Sequence, residues 1–150
     1  MLEKVEIIPV TDDDFQFGYD IRKLTMEEHI IKTYGKWNEI EQLDNCKKCF
    51  PLKHHKKYII KYLGENIGWL NYEENETNME LNQIFIHPKY QGKGIGSKII
   101  NDLMKICKNK NKSIILEVLK SNYKAKKLYL KLGFNIYKED DNDYFLEYKI

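Results

Sequence analysis

The residues best able to do chemistry lie in the run Gln91-Gly92-Lys93-Gly94-Ile95-Gly96-Ser97. Glycines at alternate positions remove the side chains that would keep another molecule off the backbone. The apolar residues Ile84, Phe85 and Ile86 precede the run and a helix-periodic stretch follows it, so this loop joins a strand to a helix. The first amides of that helix have no intrahelical acceptor and sit at the positive end of its dipole. Glycines followed by a helix N-terminus suit a phosphate or pyrophosphate, and Lys93 and Lys98 add positive charge. Three glycines are a costly way merely to open a helix, at roughly 0.5–1 kcal/mol each relative to alanine, so a ligand site is the better reading.

Other phosphate loops fit less well. The Walker spacing G-x-x-x-x-G-K-[ST] is absent. Gly92-x-Gly94-x-x-Ser97 comes near a dinucleotide-binding fingerprint, with Glu117 about where a ribose-binding acid would lie. That fingerprint needs its first glycine directly after the strand, and here His87-Pro88-Lys89-Tyr90-Gln91 intervenes. Cys46 and Cys49, followed by His54 and His55, have the residue types of four zinc ligands. Their lysine-rich context, the short closing loop and the lack of a second C-x-x-C favour a surface loop, so no metal site is expected. Cys107 reads as a core residue, His87 as a structural residue at the loop entry, and all three thiols as reduced.

The elements that must position this loop follow from periodicity. Residues 3–9 read as a strand, 12–33 as a helix opened by Thr11 and Asp14, and 37–50 as a second helix ending before Pro51. Strands are expected at 57–63, 67–72 and 79–87, then the glycine loop, then a helix at 95–109 with Ile95, Ile99, Leu103, Ile106 and Cys107 on one face. The apolar run 113–118 is a buried strand; Ser121 is the expected cap of a helix whose inner stripe is Ala125, Leu128, Tyr129 and Leu132, stopped by Gly133. Residues 134–138 and 144–149 form a closing hairpin. The order β-α-α-β-β-β-α-β-α-β-β implies one domain over residues 1–150, with a mixed sheet and helices on both faces. The strands at 79–87 and 113–118 should be parallel through a right-handed crossover.

The run from Ile84 to Gly96 resembles the acetyl-CoA-binding motif of the GNAT superfamily of N-acetyltransferases, whose core is (R/Q)-x-x-G-x-(G/A). Asn122, Ala125, Tyr129, Gly133 and Phe134 resemble that family's N-x-x-A-x-x-x-Y-x-x-x-G-F pattern. The resemblance implies a mixed, mostly antiparallel central sheet of about six to seven strands. It implies acetyl-CoA as cofactor, with its pantetheine arm along Ile84, Phe85 and Ile86 and its pyrophosphate on the backbone of Gln91, Gly92, Lys93, Gly94, Ile95, Gly96 and Ser97. Asn122 would bond the pantetheine side. The reaction implied is direct attack of a neutral amine on the thioester in a ternary complex, with the Ile86 N–H as oxyanion donor and Tyr129 as general acid. Glu80 matches a position where several members carry a general base, and strand alternation would put it on one face with Asn82, Ile84 and Ile86. Tyr129 also fits a plain core role, as Glu80 fits that of a solvated glutamate.

Composition bounds the partners. A formal net charge of +2 argues against a nucleic-acid binder. No apolar run reaches the ~18 residues of a membrane span, and the charged start MLEKVEIIPV lacks a secretion signal, so a cytoplasmic location is expected. The acceptor, a small-molecule or peptide amine, should meet the more idiosyncratic N-terminal half, near the two helices and the turn after 67–72. Trp37, Asn38, Glu39 and Gln42, with Tyr19, Arg22 and Tyr34, are the polar groups there, although Trp37 in the core and Glu39 in solvent would read equally well. The alternative function is a non-catalytic acyl-CoA-binding or sensor module, for which Tyr129 would be unnecessary. The terminal hairpin is a sheet edge suited to a homodimer.

Overall fold

The period-two and continuous apolar runs of the chain all pair into one sheet in the computed structural model, which describes residues 4–51 and 55–150. Its strands are β1 (Val5–Pro9), β2 (His55–Tyr62), β3 (Glu65–Glu74), β4 (Asn78–Ile86), β5 (Ser113–Leu119), β6 (Asn135–Glu139) and β7 (Asp143–Tyr148). Their spatial order is β1-β2-β3-β4-β5-β7-β6. Every pairing is antiparallel except β4 with β5, as the strand–loop–helix–strand reading requires. The helices are α1 (Phe15–Tyr34), α2 (Glu39–Cys49), α3 (Ile95–Asn109) and α4 (Tyr123–Lys131). Among the described residues no helix is long and apolar enough to cross a membrane.

The two faces of the sheet carry separate cores. On one, Ile95, Ile99, Ile100, Leu103 and Cys107 of α3 and Tyr129 of α4 pack on Met79, Leu81, Ile114 and Leu116. On the other, Ile21 of α1 packs with Ile59, Trp69 and Phe85, and Phe17, Met26 and Phe50 lean on them. Cys107 is fully buried, its sulfur 3.7 Å from that of Met79, as a core reading requires.

Several boundaries move for local reasons. A 3-10 turn at Asp12–Asp14, closed by the Thr11–Asp14 capping box, precedes α1, and Gly35 in the left-handed region ends that helix by giving its N–H to the Ile31 carbonyl. α2 starts at Glu39 and not at Trp37, because the Asn38 side chain accepts from the Glu41 amide (3.0 Å). Asn122 and not Ser121 caps α4, with its Oδ1 3.3 Å from the Ala125 amide. Ser121 instead gives its hydroxyl to the His29 carbonyl (3.1 Å), tying α4 to α1. The start of the first predicted strand, at residue 3, lies outside the described residues.

Two irregularities in β4 position the site. Pairing with β5 covers only Asn78 to Leu81, so from Asn82 onward β4 leaves β5 and a gap opens between them. A bulge also falls there: Tyr72 pairs with Leu81 but Asn71 with Gln83, leaving Asn82 extra. Ile84 and Ile86 therefore share a face with Met79 and Leu81, whereas Glu80 points to the opposite face. The expected common face of Glu80 with Ile84 and Ile86 is corrected by this one-residue parity change.

Candidate active site

β4 supplies the floor of the gap with unpaired backbone. The His87 N–H donates to the Ile67 carbonyl on β3 (2.7 Å). By antiparallel alternation the N–H groups of Ile84 and Ile86 face the other way, into the gap left by β5. The Ile86 carbonyl, on the same side, accepts from Gln91 Nε2 at 2.8 Å. Gln91 thereby fixes the loop to the strand. His87 caps the intervening 3-10 turn, accepting from the Lys89 amide through Nδ1 (3.1 Å), so its role is structural.

The loop presents amides as the sequence led one to expect. Gly92 (φ 75°) and Gly94 (φ 84°) both lie in the left-handed region that favours glycine. The first intrahelical bond of α3 runs from Lys98 N–H to the Gly94 carbonyl, which leaves the amides of Ile95, Gly96 and Ser97 open at the helix N-terminus. An alanine Cβ at position 96 would meet Ile86 Cδ1 at 3.5 Å, so loop and strand are in close contact. Lys98 is held by Asp102 (2.7 Å), which spends part of the charge assigned to it.

These parts enclose a cavity of about 380 Å³. The structure brings into it Ile84, Phe85, Ile86, Gln91, Gly92, Gly94, Ile95, Gly96, Ser97, Asn122 and Tyr129. It does not bring in Glu80, which is exposed on the other face, or Lys93, which is exposed in the turn. Tyr129 is buried, edge-on to Phe134 with ring centroids 5.5 Å apart, and burial pushes its hydroxyl well above the usual phenol range. Its hydroxyl is therefore a neutral donor, and among the described residues it makes no hydrogen bond that would occupy it.

α1 contributes Thr25, Met26 and His29 to the cavity, and α4 adds Lys124. Sequence reasoning missed these four. His29 Nδ1 is buried without a hydrogen-bond partner, and burial holds the ring's pKa below its ordinary value, so it is a neutral base. The signal available in the sequence was its helical spacing from Thr25 and Met26, which needs the path of α1 over the gap to acquire meaning.

Of the polar residues singled out in the N-terminal half, Trp37 is bonded to Glu39 and Arg22 to Gln42. Glu39 accepts from Trp37 Nε1 (2.8 Å) and pairs with Lys23 (3.0 Å), and Gln42 accepts from Arg22 (3.1 Å). Trp37 is half-buried and outside both core clusters. Cys46 and Cys49 are free thiols, His54 lies outside the described residues, and no group of three or more metal-ligating side chains occurs among the described residues.

The chain matches the model of the Acetyltransferase (GNAT) family over residues 19–134. It is 28% identical to the spermine/spermidine N(1)-acetyltransferase of Bacillus subtilis strain 168, covering 91% of each chain. Among solved structures it resembles an acetyltransferase from Thermus thermophilus (TM-score 0.78, 16% identity, 98% of this chain and 97% of that one). It also resembles the PaiA N-acetyltransferase of Thermoplasma acidophilum in complex with coenzyme A (TM-score 0.75, 19% identity, 97% and 99%). The last two likenesses bear on the fold alone; the family match, spanning most of the chain and both motif regions, shows that the chain belongs to the acetyltransferase (GNAT) family.

Proposed function

We propose that the protein transfers the acetyl group of acetyl-CoA to a small primary amine in a ternary complex. The observation that carries this reading is the gap beside β4: two backbone N–H groups, a glycine loop and an open helix N-terminus line one cavity with a buried tyrosine. A pantetheine arm needs backbone partners along an unpaired strand, and a pyrophosphate needs amides free of side chains. The residues fit both. The amines in the relative's name, spermine and spermidine, support a small-molecule acceptor over a protein chain.

Acetyl-CoA supplies an activated acetyl group, which the amine nitrogen takes as its N–C bond forms and the C–S bond breaks, with net transfer of one proton from nitrogen to sulfur. The chain's residues have three tasks. The Ile84 or Ile86 N–H, both facing the gap, donates to the carbonyl oxygen as it gains charge. Tyr129 donates its neutral hydroxyl toward the sulfur. His29, neutral and with its Nδ1 unpartnered, lines this cavity whereas Glu80 does not, so His29 is the better candidate to take the amine's proton. Isothermal titration with acetyl-CoA, against NADH as control, tests the cofactor site, and free-thiol release with an amine panel tests transfer. Binding of acetyl-CoA alone, followed by amine-dependent thiol release, is the expected result. Binding without transfer to any amine would favour the acyl-CoA-binding module instead.

A further inference from the structure

A second cavity, of about 190 Å³, lies on the opposite face of the sheet between α1, the end of α2 and strands β2 to β4. It is smaller than the ~300–1,000 Å³ usual for drug-sized ligands. Phe85 lines both cavities, so this space adjoins, at that residue, the gap where the acetyl group is expected. Aromatic rings from α1 and the strands form part of its wall, and polar side chains, Arg22, Asn71 and Gln83 among them, form the rest.

Asn71 is 5% exposed, and its Oδ1 is buried with no hydrogen-bond partner. The orientation of that amide follows from its neighbours. Trp69 Nε1, which can only donate, reaches Gln83 Oε1 at 3.2 Å, and Asn71 Nδ2 meets the same oxygen at 3.4 Å. The Asn71 carbonyl oxygen is left to accept from something in the cavity, and a buried acceptor left empty costs about 1–3 kcal/mol. Arg22 also lines the space. It spends its Nε and one Nη on Gln42 Oε1, keeps other N–H groups, and has no carboxylate partner among the described residues. Lys57, whose Nζ donates to the Phe50 carbonyl (2.9 Å), is a second cationic side chain in the wall. No aspartate or glutamate lines the cavity among the described residues; Glu73 stands behind His55 (3.5 Å) and Asn82 (3.4 Å).

We propose that this cavity holds the acceptor and that the acceptor is a small amine bearing a carboxylate, in chemical class an amino acid. The carboxylate sits on Arg22, and a nitrogen of the acceptor donates to Asn71 Oδ1. The proposal rests on the N-acetyltransferase reading for the direction of transfer but not for the pocket itself. A polycation fits these walls poorly, because Arg22 repels it and no acid lines the cavity among the described residues.

The test uses the full chain in two measurements. Titration of glutamate, lysine and glycine into the protein, each against its carboxamide, reads the pocket without any transfer. Thiol release at saturating acetyl-CoA, with the same compounds and with spermidine, reads the acceptor. The amino acid should exceed its carboxamide by about tenfold or more in both binding and kcat/KM, the usual worth of a charge-assisted contact. Arg22→Gln should abolish that preference through KM, with acetyl-CoA binding unchanged; Arg22→Lys, which keeps the charge but not the fork, should restore part of it. Equal use of the carboxamide, a preference for spermidine, a preference that survives Arg22→Gln, or no measurable binding of any amino acid would each overturn the proposal. Loss of acetyl-CoA binding in the unmodified chain would instead overturn the function proposed above, while Arg22-dependent amino-acid binding would still stand.

Discussion

Gly68 on β3 pairs directly with Ile86 of β4, and an added Cβ there would lie 2.3 Å from the Phe85 carbonyl oxygen. Real Cβ contacts stay beyond about 3.0 Å, so Gly68→Ala requires a movement of at least about 0.7 Å. The second contact, Ile60 Cδ1 at 3.2 Å, can rotate away, but the first is backbone. β4 must therefore shift away from β3, into the gap whose floor it forms. Such overpacking costs about 1–3 kcal/mol of stability. The larger effect should be on function, because displacement by about 1 Å of groups that position reacting atoms can cost roughly a hundredfold. Steady-state kinetics and acetyl-CoA titration of Gly68→Ala should show kcat/KM reduced by about tenfold to a hundredfold and weaker cofactor binding, with a cooperative melt retained. Gly18→Ala is the control: its Cβ would meet the Trp69 ring at 2.8 Å, a side chain that forms a wall of the second cavity, so cofactor binding should be spared. A Gly68→Ala protein that binds acetyl-CoA and turns over within about twofold of the unmodified chain would refute the claim that unpaired β4 backbone positions the cofactor.

Tyr129→Phe should lower kcat by about tenfold or more with acetyl-CoA affinity little changed; equal loss of both, or of neither, would remove its role as proton donor. Gly94→Glu should abolish cofactor binding by placing a negative side chain where the phosphates are expected, whereas Gly94→Asn, which tolerates the positive φ, should bind measurably in the same titration. Glu74 checks the fold independently of the site. Burial alone would raise its pKa, but Lys110, Lys112 and Lys56 at 3.0–3.1 Å outweigh that and hold the carboxyl down at about 2. A folded-state pKa below the ordinary value contributes stability that is fully present above about pH 4.5 and lost as the pH falls toward 2. The shift sets an upper bound of about 3 kcal/mol, and the half-exposure of Lys56 and Lys110 reduces it to about 1–2. Urea melts of Glu74→Gln should show that loss at pH 7 and only about a quarter of it at pH 2.5; a difference that keeps its full size at low pH would discount the ion-pair cluster.

The glycine loop was legible because its signal is local: glycines at fixed offsets and a helix N-terminus carry their meaning wherever the chain places them. The order of the elements was legible for the same reason, since period and turn residues are properties of short windows. Asn82 shows where this fails. Nothing in Glu80-Leu81-Asn82-Gln83 marks a bulge, because a bulge is a mismatch between two strands and exists only once Asn71 and Tyr72 are paired. One extra residue turns Glu80 away from Ile84 and Ile86, and it aims Gln83 and Phe85 at α1 and α2. A second irregularity at the same point, the end of pairing with β5 after Leu81, leaves β4 without a partner on that side. Two irregularities at one point of β4 thus leave its backbone edge open and direct Gln83 and Phe85 into a cavity against α1 and α2. His29, Arg22 and Asn71 gain their significance only from that geometry. Chemistry that depends on two faces meeting at one point of one strand is written in pairings, and pairings are what a single sequence shows least.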